Sequence, residues 1–372
     1  MRMNFLSFLR LCLPLILLAV NPRLASARIE PSFELDYCTW HATQVVLVEV
    51  TAKDGVFSVV ESWKGELRPG ERITVPELTP ALGAKPISVY PTRTNFFAHD
   101  KAGIGEQIPR QPAGSRMVLF LKKREGSEIS PTSTNSVEKW GPADMFDEMK
   151  TSTVWIDGEK VYSFQQLINP GSSKFFILHS SLQQMKARVV EINRVQKELA
   201  KVVSNGNSGA RAEGLKPYVR SKLYEAQRLA LNELGKCGPS ALSTIRGMLD
   251  DPAFADESAE LVRSFAEAGG EQVGEELDSR LQKELAFWQA TAPSLSKDWW
   301  NQDATPHAPL RERYMQTFQL ILGLERVHYT PALTTATYLG NFWRSLPQLN
   351  DPSGLNQMAK ECDKLIDHLR AN

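Results

Sequence analysis

Two segments of this chain repeat one pattern, and that repetition limits what it can fold into more than any other feature. Residues 228–252 read RLALNELGKCGPSALSTIRGMLDDP, and residues 260–284 read ELVRSFAEAGGEQVGEELDSRLQKE. Each segment holds an amphipathic helix, a short break at Cys237-Gly238 or Gly269-Gly270, and a second helix ending near Leu249 or Leu281. The offset is 31 residues from Gly238 to Gly269 and 32 from Leu249 to Leu281. A helix pair of this size cannot bury its apolar face alone, so the pairs are expected to stack on one another. Apolar spacing predicts further helices over 308–326, 334–345 and 353–369, which makes residues 217–372 a helical domain.

The first half is built on a different period. Residues 43–77 read TQVVLVEVTAKDGVFSVVESWKGELRPGERITVPE. Three β-rich runs, at 45–50, 56–63 and 73–75, are separated by Asp54-Gly55 and Pro69-Gly70. Gly after Asp suits a tight hairpin because Gly tolerates positive φ. Met117 to Leu121 reads as a buried strand, and 153–156 with 160–164 form a second hairpin across Asp157-Gly158. Residues 78–113 are a proline-rich excursion with one candidate strand at 87–90. Five to seven short strands favour a small closed barrel or sandwich, since closure removes exposed edges. A helix over 180–203 follows, with Leu182, Met185, Val189, Ile192, Val195, Leu199 and Val202 at helical spacing. The polar run SNGNSG at 204–209 opens a flexible linker over 204–216. The fold class is therefore α+β in two domains: β-rich over 28–179, then helical after the connecting helix and linker.

Residues 1–27 read as a secretory leader. MRMNFLSFLR carries positive charge, LCLPLILLAV is the apolar centre, and Ala25-Ser26-Ala27 is an A-x-A cleavage signal. The apolar run is short and broken by Pro14, which argues against a membrane-spanning helix. Export to the periplasm or outside the cell is expected, with no membrane span after cleavage. Cleavage removes Arg2, Arg10 and Arg23 from 43 basic residues, leaving 40 against 43 acidic ones and a net charge of −3. That balance argues against nucleic acid as a partner. Cys12 leaves with the leader. Cys38, Cys237 and Cys362 remain at spacings of 199 and 125 residues, which match no zinc module and read as buried thiols.

Two resemblances follow from these segments. The pieces ALNELGKCGPSAL and LVRSFAEAGG make residues 225–281 similar to two HEAT-type helical repeats, which implies a stacked helical solenoid presenting a surface to a protein partner. Cys38, the strand from Ala42 to Val50, VVESWKGELRPGERITV, and GSRMVLFLKK followed by a hairpin and a helix resemble the OB-like barrel of tissue inhibitors of metalloproteinases and netrin-type modules. Those inhibitors use a mature N-terminal cysteine to reach the protease metal. Cys38 lies ten residues inside the expected start at Arg28, so the fold likeness carries over without the activity.

Catalytic chemistry has little to rest on in this sequence. The six histidines are widely spaced, with no H-E-x-x-H and no C-x-x-C, so neither a metal nor a cofactor is expected. His99-Asp100 in the proline-rich excursion is the one pair that a hydrolase could use. The binding candidates are Trp299, Trp300, Trp343 and Arg344, because Trp and Arg are enriched at interface hot spots. Two roles suit the tryptophans: a plug over the end of the helical stack, or a contact surface for a protein or a glycan. The expected function is a non-enzymatic exported binding or scaffolding module. Protease inhibition through the barrel and hydrolysis at His99-Asp100 are the alternatives.

Overall fold

The computed structural model describes residues 28–29, 34–53, 55–75, 113–123, 140–142, 153–168, 174–292, 308–346 and 355–371. The proline-rich excursion, His99, Asp100, Trp299 and Trp300 lie outside them. The chain is mixed α+β and forms two compact units, residues 1–194 and 195–372.

The first unit is a sheet of β1 (Arg28–Ile29), β2 (Gln44–Val50), β3 (Val56–Lys64), β4 (Arg72–Thr74), β5 (Arg116–Lys123), β6 (Trp140–Pro142), β7 (Thr153–Asp157), β8 (Lys160–Ile168) and β9 (Lys174–Ser181). Its order is β1-β8-β7-β5-β2-β3-β4, with β6 on β5 and β9 on β8, and every pairing is antiparallel. Among the described residues no ladder joins β4 to β1 or β9, so these pairings run as an open order rather than the expected closed ring. The β7–β8 hairpin turns at Gly158, whose φ of 59° is the left-handed conformation its Asp-Gly signal requires.

β2 is central and buried on both faces, which is why its sequence is nearly continuous Val and Leu. Val46, Val48 and Val50 pack with Phe57, Val59, Ile73, Met117, Leu119 and Leu121 on one face. On the other, Val45 and Leu47 meet Trp63, Val118, Phe120, Val154 and Val161. Two register shifts between β2 and β3, at Val45/Val46 and Leu47/Val48, increase the local twist.

Two helices cover the second face, α1 (Leu35–His41) through Cys38 and α2 (Leu182–Val203) through Met185 and Val189. The sequence predicts no regular element between Arg28 and Gln44, so α1 is a correction. Its cause is tertiary: the buried Lys64 donates from Nζ to the carbonyls of Thr39 (2.7 Å) and Trp40 (3.3 Å) at its C-terminal end. Asp36 pairs with Arg188 and Glu61 with Lys186, tying α2 to the sheet unit. The Lys186 ammonium lowers the pKa of Glu61.

The second unit holds α3 (Ser208–Leu215), α4 (Tyr224–Lys236), α5 (Leu242–Leu249), α6 (Ser258–Gly269), α7 (Gly274–Thr291), α8 (Ala308–Val327), α9 (Leu333–Arg344) and α10 (Leu355–Ala371). The expected flexible linker at 204–216 is another correction. Its polar residues are turn and cap groups: Asn205 Oδ1 accepts from the Asn207 amide at 2.9 Å, and Asn207 Oδ1 accepts from the Ala210 amide at 2.9 Å. Asn207 is thus the N-cap of α3, which buries Ala212 and Leu215.

α4 packs on α6, α6 on α8, and α8 on α10, while α5 lies against α6, α7 against α8, and α9 against both α7 and α10. The α4–α5 and α6–α7 connections are built alike. A glycine with positive φ, Gly238 at 66° or Gly270 at 54°, opens one turn of 3-10 helix that leads into the second helix. The α8–α9 connection also holds a 3-10 turn, Thr330–Ala332, and its left-handed residue is His328 (φ 53°), which stands two residues before that turn.

Candidate functional site

α9 carries two of the four binding candidates. Its buried residues are Thr335, Ala336, Leu339, Gly340 and Trp343, the one-face spacing of an amphipathic helix. The opposite face exposes Thr334, Tyr338 and Asn341. α10 approaches closely at Gly340, where an added Cβ would come within 3.1 Å of Cys362 Cβ.

Trp343 is 1% exposed and belongs to the core, so it is withdrawn as a surface contact. Its ring lies 5.4 Å from Trp288, 5.7 Å from Tyr314 and 5.6 Å from Phe342, centroid to centroid. Edge and tilted contacts of this kind add to the burial energy of large rings. Trp288 Nε1 donates to Thr317 Oγ1 at 3.0 Å. Arg313 binds both oxygens of the buried Glu284, at 2.7 and 3.0 Å, and its guanidinium lies 3.6 Å from the Phe287 ring centroid. Two groups beside this cluster are held neutral. Burial pushes the Cys362 thiol up to about 12, with Asp363 and Glu361 adding and Arg344 opposing. Burial likewise pushes Tyr314 up to about 12.

Arg344 is exposed at the end of α9, donates to Asn341 Oδ1 at 2.8 Å, and pairs with Asp363 of α10. The structure therefore separates Trp343 from Arg344, although they are adjacent in sequence. The surface aromatic of α9 is Tyr338, 63% exposed. Its position three residues before the exposed Asn341 places it on the outward face once Trp343 is assigned inward. Tyr224 (67%) and Met315 (42%) are further exposed apolar groups of this unit.

Seven side-chain bonds between elements of this unit span 29 to 31 residues, among others that span 19 (Arg344–Asp363), 26 (Arg211–Cys237) and 53 (Gln282–Thr335). Gln227 to Glu257, Arg246 to Glu276 and Arg280 to Asp250 each span 30 residues. Thr244 to Glu213 and Arg263 to Asn232 span 31, and Arg313 to Glu284 and Trp288 to Thr317 span 29. Among the described residues, no group of three His, Cys, Asp or Glu side chains could hold a metal ion. Cys38, Cys237 and Cys362 are buried and form no disulfide. No described helix is long and apolar enough to cross a membrane.

Compared with known proteins, the chain matches no protein-family model, no curated protein and no solved structure.

Proposed function

We propose that this chain is an exported, non-enzymatic binding or scaffolding protein. In this reading its helical unit is a short HEAT-like stack, and its β-rich unit is an OB-like barrel. The supporting observation is the group of seven inter-element bonds that span 29 to 31 residues, close to the sequence offset of 31 to 32. Asn232–Arg263 and Arg246–Glu276 join α4 to α6 and α5 to α7, and Glu284–Arg313 and Trp288–Thr317 join α7 to α8, so neighbouring helix pairs are cross-linked as adjacent units of a stack are. Such stacks offer extended surfaces, and Tyr338 with Arg344 is an exposed aromatic and guanidinium pair of the kind that dominates protein contacts. A glycan partner is the alternative, and it rests on Trp299 and Trp300, which lie outside the described residues.

The inhibitor alternative is weakened by Cys38, which is 2% exposed and packs from the inner face of α1 into the sheet core. A thiol in that position supports the fold and does not present itself to a protease metal.

The test is a photo-reactive side chain placed at Tyr338, and separately at Tyr224, in the full chain produced with its leader. The exported protein should start at Arg28 by intact mass, and irradiation should give a discrete adduct with one protein from the Tyr338 position. Absence of adducts from both positions, together with turnover in a hydrolase panel, would replace the binding reading with the enzymatic one.

A further inference from the structure

Among the described residues, His328 is the one residue other than glycine with a positive φ. In the α4–α5 and α6–α7 connections the left-handed residue is Gly238 or Gly270, and in the α8–α9 connection it is His328 at φ 53°. A side chain there costs conformational energy that glycine avoids, and a strained residue kept in place is a reason to ask what its side chain does. The backbone around it is firmly set. The amides of His328 and Tyr329 bond to the carbonyls of Glu325 and Leu324, and a Cβ on Gly274 would meet the Tyr329 ring at 2.4 Å.

The imidazole of His328 is turned toward one from the last turn of α10. His328 Nδ1 and His368 Nε2 lie 2.7 Å apart, and the ring centroids are 4.4 Å apart with the planes inclined by 30°. The nitrogen separation plus two ring radii exceeds that centroid distance. The two ring–nitrogen axes are therefore inclined to the N···N line, whereas a straight N–H···N bond would need them collinear. Inclined axes suit a bent N–H···N bond, and they also suit two imidazoles that share one ion at neighbouring coordination positions.

We propose that His328 and His368 form a two-imidazole binding site for a divalent transition-metal ion. Two nitrogens bound at about 2.0–2.1 Å stand about 2.9 Å apart in a square-planar or tetragonal shell and about 3.3 Å apart in a tetrahedral one, so binding an ion requires the pair to open from 2.7 Å. Imidazole is a ligand for Cu(II) and Ni(II), which serve as the probes. No third His, Cys, Asp or Glu joins the pair among the described residues. An ion held there would clamp the end of α8 to the end of α10.

The test uses the full chain titrated with Cu(II) and with Ni(II) in a non-coordinating buffer, followed by calorimetry and by electron paramagnetic resonance of the copper form. The native chain should bind one equivalent with a two-nitrogen signature, should melt at a higher temperature when loaded with Ni(II), and should release the ion in acid because both imidazoles must be neutral. His328→Gly suits the local backbone, so it should keep or raise the unloaded melting temperature while weakening binding at least about tenfold, the ordinary gain from a second tethered ligand. His368→Gln should weaken it equally and decides the matter if the first variant misfolds. Native affinity retained in either folded variant, a native spectrum without two nitrogens, or no binding by the native chain would overturn the site.

Discussion

Trp288 and Trp343 offer a test of the aromatic core that compares two nearly equal burials. Both rings are fully buried, at 0% and 1% exposure, and they touch each other. Truncating either to alanine should cost about 3–5 kcal/mol, the usual loss for a large buried ring. Replacement by phenylalanine separates them. Trp288 Nε1 donates to Thr317, whereas Trp343 Nε1 has no hydrogen-bond partner among the described residues. Trp288→Phe removes a satisfied bond worth about 0.5–1.5 kcal/mol, while Trp343→Phe removes a buried orphan donor whose penalty is about 1–3 kcal/mol. The lost ring volume is the same in both. Trp288→Phe should therefore be the more destabilising by about 2 kcal/mol, or about 4–8 °C in melting temperature for a unit of this size. Equilibrium urea unfolding followed by far-ultraviolet circular dichroism reads the difference without relying on the fluorescence of the altered residues. Equal costs for the two phenylalanine variants, or a larger cost for Trp343→Phe, would refute the assignment of Trp343 Nε1 as an orphan.

Gly65 has φ 101°, and an added Cβ would fall 2.0 Å from Gln44 Oε1, which accepts from the amides of Glu66 and Leu67 at 2.8 and 3.2 Å. Gly65→Ala should thus cost about 2 kcal/mol or more from backbone strain and displaced bonds, read as a lower melting temperature of the sheet unit. Asn207→Ala should cost about 1 kcal/mol as a lost N-cap, and brief proteolysis of the native chain should leave residues 204–209 uncut; rapid cleavage there would restore the flexible linker. Cys362 rises from 9.0 to about 12 and Tyr314 from 10.0 to about 12 on folding, so the unfolded chain loses these protons first. The contribution of these two groups to stability should be level below pH 9 and fall as pH rises toward about 12, by about 1.4 kcal/mol per pH unit for each group above its unfolded value. Cys362→Ala should flatten that decline between pH 9 and 10, and an unchanged slope there would place the thiol in a less buried setting.

Local chemistry alone determined much of this protein. Alternation of Val with turn residues at Asp157-Gly158 and Pro69-Gly70 specified β3, β4, β7 and β8, because strand period and positive φ are properties of neighbouring residues. Helical spacing likewise placed α2, α4 to α7 and α8 to α10 to within a few residues of where they stand. It also contained the answer for Trp343, which shares its face with Ala336, Leu339 and Gly340; the polar neighbours Asn341 and Arg344 drew attention away from that face. Other features depend on residues far apart in the chain. α1 exists where Lys64 can reach its carbonyls across 25 residues, and the polar run at 204–209 became caps rather than a linker because α3 had somewhere to bury Ala212 and Leu215. His328 and His368 are 40 residues apart, and no spacing rule would pair them. Only the packing of α8 against α10 brings one imidazole to the other, since the position of a side chain across a helix interface is set by the energy of the whole core and not by the period of either helix.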